Sequence, residues 1–153
     1  MKRELFIEKK YMLDALSEAK KAYRQDEVPV GAVVVCDGEI IAMAHNLVEA
    51  NTDPSAHAEL LALRAASDKL GTKWLDNCVL YVTLEPCAMC MGAIINYRTG
   101  ALAFGAYDRE AGCCISKAEL PRLMNGALPY VGGIMEEECK SLLSEFFAAK
   151  RRV

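Results

Sequence analysis

Along the first part of the chain, Met12, Leu16, Ala19 and Tyr23 recur at helical spacing with lysines and glutamates between them, which predicts an amphipathic helix from Leu5 to about Tyr23. The pattern then changes. VPVGAVVVC, beginning at Val28, is a continuous run rich in β-branched residues, and after the turn DGE comes IIAMAHN, so the two strands of a hairpin are expected here. Asp53 and Pro54 have the character of an N-cap followed by proline in the first helical position. They predict a helix that runs through His57 to about Lys69, where LGT stops it. VLYVTL at Val79 to Leu84 reads as a buried strand, Pro86 as the start of a helix over CAMCMGAIINY, and ALAFGA as a fourth strand. A loop bearing glycine and cysteine around Gly112 follows, then a short helix near Lys117 to Leu123, a weak fifth strand near Tyr130 and a closing helix from Glu136 to Ala149. Strands alternating with helices predict a layered α/β domain, with helices covering both faces of a mixed sheet.

Length and composition narrow the class. With 153 residues, 53% hydrophobic and 25% charged, the chain is expected to form one domain over residues 1–153 whose core needs no disulfide support. GAVVVC and AMCMGAII, the longest apolar stretches, fall far short of the roughly 20 residues that cross a bilayer, so no membrane span is expected. The amino terminus MKRELFIEKKYM lacks the apolar centre of a secretory signal, and a cytoplasmic location is expected. In that reducing setting seven cysteines point to metal binding, buried thiols or reactive thiols, not to a disulfide framework. A net charge of −3 argues against a surface that attracts nucleic acid everywhere, although it leaves room for local basic patches. Lys2, Arg3, Lys9 and Lys10 at one end and Lys150, Arg151 and Arg152 at the other are such patches, and charge alone reads them as solvated helix ends.

His57 and Glu59, in PSAHAELLAL, would be unremarkable by themselves, because a lone histidine on an apolar helix is more often a hydrogen-bonded boundary residue than a ligand. PCAMC changes that reading. Cys87 and Cys90 lie three apart at a helix start and so share a face, and the helix amino terminus favours their thiolates. A redox pair is the competing reading of C-x-x-C, but it leaves His57 without a role. One imidazole and two thiolates make the three-ligand set of a catalytic zinc site. Closing that site would need Cys78, Cys113 or Cys114, each of which reads more simply as a small buried or loop residue, as do Cys36 and Cys139. Glu59, two residues from His57, is poorly placed to ligate beside it on a straight helix and suits a general acid and base that moves protons between the activated water and the substrate. H-x-E followed by P-C-x-x-C is the signature of the zinc nucleobase deaminases.

EVPVGAVVV, HNL, DPSAHAELLAL, LYVTLEPCAMCMGAI, FGAYD and EEECKSLLSEFF occur in this order over nearly the whole chain, and the sequence resembles the bacterial tRNA-specific adenosine deaminases. The resemblance implies a three-layer α/β/α cytidine-deaminase-like fold with a five-stranded mixed sheet, a homodimer with one zinc ion per subunit, and hydrolytic conversion of the wobble adenosine of a tRNA anticodon to inosine. The partner it implies is an anticodon stem-loop, expected to be that of an arginine tRNA. Matched to the family pattern, His57, Cys87 and Cys90 are the zinc ligands and Glu59 the proton shuttle; Asn46 contacts the flipped nucleoside, Asp108 reads the ribose, Gly31 lets substrate and backbone approach beside the pocket, and Phe146 and Phe147 pack near the anticodon loop. The residues alone allow plainer readings: a strand-end cap for Asn46, a turn for Asp108, a bulge for Gly31, core packing for the two phenylalanines. His45 reads as structural. The sequence departs from the family at NGALPYVGG, from Asn125, where a histidine and a cation are usual, and at GCC, Gly112 to Cys114, where Ala or Ser is usual. Two other functions share parts of the pattern: a deaminase of a free base or nucleoside such as guanine, and a silent zinc or RNA-binding module, which would have no need of Glu59.

Overall fold

The computed structural model describes residues 5–124 and 127–152. Its centre is a mixed five-stranded sheet. β1 (Gly31–Cys36) pairs antiparallel with β2 (Glu39–His45) on one side and with β3 (Cys78–Leu84) on the other. β3 runs parallel to β4 (Ala101–Ala106), and β4 parallel to β5 (Tyr130–Val131), giving the order β2-β1-β3-β4-β5. The β1–β2 turn is made by Asp37 (φ 52°) and Gly38 (φ 75°), two successive left-handed residues of the kind a tight hairpin requires.

Alternation along the central strands divides the core into two layers. Ala32, Val34, Leu80, Val82, Leu102 and Phe104 face α3 (Ala58–Leu70) and α4 (Ala88–Asn96). Val33, Val35, Val79, Tyr81, Ala101 and Ala103 face α1 (Lys9–Arg24) and α6 (Glu136–Arg151). Helices thus cover both faces, as the sequence pattern predicts. The short α2 (Val48–Asn51) and α5 (Leu120–Leu123) sit in the connections. No helix among the described residues is long and apolar enough to cross a membrane.

Several boundaries differ from the sequence reading, each for a local reason. Leu5 to Glu8 lie outside the helix, with Glu8 extended at its N-cap: the Glu8 N–H donates to the Tyr81 hydroxyl at 2.9 Å, which ties the segment to the sheet before α1 starts. The helix expected from Asp53 begins instead at Ala58. Asp53 spends its carboxylate on its own turn, accepting from the Ser55 N–H at 2.8 Å and the Ser55 hydroxyl at 2.7 Å, and His57 takes the N-cap position with extended backbone. α2 had no signal in the hydrophobic pattern, and the buried Glu27 carboxylate satisfies its Glu49 and Ala50 N–H groups at 2.8 Å each. Likewise α4 starts at Ala88 with Cys87 as its cap, and α5 at Leu120 instead of Lys117. β5 is real but only two residues long, and the start of NGALPYVGG, Asn125 and Gly126, lies outside the described residues.

Candidate metal centre and its pocket

The parallel strands β3 and β4 end side by side, and the chain leaving β3 passes through Glu85 and Pro86 directly into the start of α4. α3 begins at the same end of the sheet. His57 and Cys87 are the residues immediately before these two helices, both in extended conformation, and their carbonyls accept the first helical hydrogen bonds, from Leu61 and Met91. Two helix amino termini therefore converge, and their free N–H groups favour negative charge between them.

His57 Nδ1 lies 3.7 Å from Cys87 Sγ and 3.5 Å from Cys90 Sγ. A tetrahedral zinc ion with ordinary Zn–N and Zn–S bond lengths requires an N···S edge of about 3.6 Å. All three ligand atoms lie within 4.8 Å of one another, and among the described residues no other group of His, Cys, Asp and Glu is so arranged. The charges agree with the geometry. Bonds from Cys90 first and His57 second pull the Cys87 thiol down to about 3, while Cys90, the donor to that thiolate, is pushed up. The Cys87 bond raises the His57 pKa against the burial that lowers it. A metal cation binding here would displace the protons these three groups share, so the residues fit zinc.

Glu59 is buried in the first turn of α3, within hydrogen-bonding reach of Cys90, and burial pushes its carboxyl pKa up. Because His57 precedes the helix, the two are not separated by a helical twist. The bent start brings both to the same place.

A cavity of about 870 Å³ opens beside the cluster, and His57, Glu59, Cys87, Asn46, Asp108, Phe146 and Phe147 all line it. Cys90 lies buried behind them. Asn46 also ties the strand end together, its amide donating to the Val28 carbonyl at 3.3 Å and its oxygen accepting from the Val48 N–H at 3.1 Å. Asp108 Oδ1 accepts from Glu110 and Ala111 N–H, both at 3.1 Å, so the turn-forming reading of this residue holds alongside its place in the wall. Phe146 is buried edge-on between Tyr23 and Phe147, whereas Phe147 is 43% exposed.

Gly31 is not among the residues that line this cavity, and a side chain there would collide with the Ala15 carbonyl and the Ala19 nitrogen, so the close approach of β1 to α1 by itself requires a glycine at this position. Lys150, expected among solvated cations, is paired with Asp26 at 2.6 Å and lies over the Phe146 ring. Arg151 instead joins Arg109 and Lys140 in a neighbouring groove of about 860 Å³ that also holds Tyr107 and Phe147. Arg109 was not singled out by the sequence, since an isolated arginine after FGAYD carries no periodic signal. His45 bonds to Gln25 at 3.0 Å and does not line the cavity, and Cys78, Cys113, Cys114 and Cys139 are buried thiols. Glu85 was also missed, although a carboxylate between an apolar strand and a proline is a legible anomaly.

Residues 7–106 match the cytidine and deoxycytidylate deaminase zinc-binding region. The chain is 46% identical over 144 residues to the tRNA-specific adenosine deaminase of Bacillus subtilis, covering 93% of this chain and 89% of that one. In three dimensions it is similar to a structure from a study of A-to-I editing by tRNA deaminases at the wobble position of transfer RNA. That match has a TM-score of 0.82 and 38% identity, over 89% of this chain and 100% of the other. It is also similar to the guanine deaminase of Nitrosomonas europaea, at a TM-score of 0.81 but 26% identity, over 95% and 87% of the two chains.

Proposed function

This chain belongs to the tRNA-specific adenosine deaminases of the cytidine and deoxycytidylate deaminase family, and we propose from that premise that it hydrolyses the wobble adenosine, position 34 of a tRNA anticodon, to inosine and ammonia. The observation that carries the reading is the cluster of His57, Cys87 and Cys90 at tetrahedral spacing, opening on a cavity with the buried Glu59 in its wall. His57, Cys87 and Cys90 hold the zinc, one ion per subunit. When bound, the metal supplies the Lewis acidity that makes water a competent nucleophile near neutral pH. Glu59, whose carboxyl pKa burial raises, would carry two protons in turn, one from the water to the ring nitrogen and the other from the resulting hydroxyl to the departing amine. Two proton transfers by one carboxylate balance the addition of water and the loss of ammonia.

A base inside a stacked loop cannot reach such a site, so it must be turned out into the cavity. Asn46 and Asp108 line that cavity and are assigned to the nucleoside and its ribose. Phe147, half-exposed at the rim, is suited to stack on a neighbouring base. The adjacent groove supplies Arg109, Lys140 and Arg151, a local cationic strip in a chain of net charge −3, for the flanking phosphates. The whole chain acts as one domain and assembles as a homodimer. Its substrate is proposed to be an arginine tRNA in the cytoplasm. Deamination of a free base such as guanine is the second reading, favoured by the acidic balance of the chain and by its likeness to a guanine deaminase. Incubating the zinc-loaded protein with an arginine tRNA transcript carrying adenosine at the wobble position, and separately with guanine, adenosine and cytidine, distinguishes them. Inosine at position 34 supports the tRNA reading, and turnover of a free base without any in the transcript replaces it.

A further inference from the structure

Glu85 is a carboxylate with only 2% of its surface exposed, placed where β3 hands over to the α4 turn. Its hydrogen-bond partners are not a cation but one short stretch of backbone. Oε1 accepts from the Asp108 N–H at 3.1 Å and from the Ser116 hydroxyl. Oε2 accepts from the N–H groups of Cys114 at 3.2 Å, Ile115 at 2.8 Å and Ser116 at 2.9 Å. One further bond fastens the same stretch, from the Cys113 N–H to the Pro86 carbonyl at 2.8 Å, and the Glu85 N–H holds the end of β4 through the Ala106 carbonyl at the same distance. Gly112 lies so close that a side chain there would run into the Glu85 carboxyl group and the Asp108 carbonyl. A loop of nine residues is thus wrapped around one anion, and its first residue, Asp108, stands in the cavity wall. Charged acceptors make the stronger hydrogen bonds, and a ring of N–H donors around a carboxylate cannot be satisfied by a neutral amide, whose NH2 group meets them donor to donor.

We propose that Glu85 is a positioning residue that holds the Asp108–Ser116 loop, and Asp108 with it, in register with the pocket, so that nucleoside binding depends on it and metal binding does not. The inference rests on the reading of Asp108 as a nucleoside contact. Without the Glu85 anchor, the Asp108 N–H loses its fixed acceptor and the loop its common centre, while His57 and Cys87 keep their N-cap positions and Cys90 its place in α4.

The experiment is a double-mutant cycle on the zinc-loaded protein, with Glu85→Gln, Asp108→Ala and the pair, measuring kcat and KM on an anticodon stem-loop together with zinc content. Glu85→Gln is expected to raise KM by about tenfold with kcat within about twofold and zinc at the wild-type level. On the Asp108→Ala background the same change is expected to do almost nothing, because both remove one contact. Ser116→Ala, which removes a single donor, gives the same signature in weaker form and serves if Glu85→Gln does not fold. Loss of zinc in Glu85→Gln, or a KM effect that multiplies fully with that of Asp108→Ala, overturns the proposal. If Asp108→Ala alone leaves KM unchanged, the nucleoside reading of Asp108 falls and takes the proposal with it, a result distinct from additivity.

Discussion

His57 Nδ1 and Cys90 Sγ stand 3.5 Å apart across thirty-three residues of chain, and Cys87 Sγ lies 3.7 Å from the same nitrogen. Purified protein is therefore expected to carry about one zinc per chain. The double variant Cys87→Ala, Cys90→Ala is expected to carry almost none by elemental analysis. Chelation should abolish activity and added zinc should restore it. Full zinc retention in the double variant would assign the metal elsewhere.

Glu59 is read as a mover of protons and not as a ligand. Glu59→Gln should keep the fold and the zinc while kcat falls by about 10²- to 10⁴-fold, the usual worth of a general acid–base group. Circular dichroism, elemental analysis and single-turnover rates measure the three quantities. Metal loss in this variant would move Glu59 into the coordination sphere.

Gly31 belongs to packing. Gly31→Ala forces a methyl group into the backbone of α1 at Ala15 and Ala19 and should cost about 1–3 kcal/mol of stability, the range for overpacking. Urea denaturation reads this directly. Activity corrected for folded fraction should change little, whereas a specific loss of substrate affinity would return Gly31 to the pocket.

Tyr81 sits fully inside the α1 face of the sheet, and burial raises its phenol pKa above the ordinary 10.0, against the Glu8 N–H bond that lowers it. A raised folded value means the fold favours the neutral phenol. That contribution is complete below pH 10 and is lost as the pH rises through the raised value. The stability gap between wild type and Tyr81→Phe should be constant below pH 10 and narrow above it, as followed by urea midpoints. A gap that stays constant into the alkaline range would show that the phenol does not titrate with unfolding.

At the end of α6, truncation after Ala148 removes Lys150, with its bond to Asp26, and Arg151 from the cationic groove. Stem-loop binding should weaken far more than folding or zinc content. The slope of log Kd against log salt should also become shallower, because fewer counterions are released. An unchanged slope would take the tail out of the RNA surface.

Much of this molecule is local and was therefore legible. The β-branched runs, the Asp37–Gly38 turn, the alternation of strands with helices and the motifs H-x-E and P-C-x-x-C are each written in a short stretch of chain, where periodicity, turn stereochemistry and side-chain type act directly. The misreadings arose where a local preference met a competitor, near or far along the chain. Asp53 and His57 were both placed to cap α3, and the choice went to His57 because Asp53 closed a turn with Ser55. The helix expected from Leu5 starts only at Lys9, because Tyr81, more than seventy residues away, offers the Glu8 N–H a partner.

Sequence by itself determined the strands, the longer helices and the groups that make up the metal centre, because those depend on neighbours along the chain. Only the tertiary structure decided that Gly31 serves α1, that Lys150 is spent on Asp26, that Glu85 gathers a distant loop, and that imidazole and thiols meet at tetrahedral distances. Each of these is a distance between groups far apart in the chain, set by strand register and by how closely helices settle on the sheet, and no local pattern encodes it.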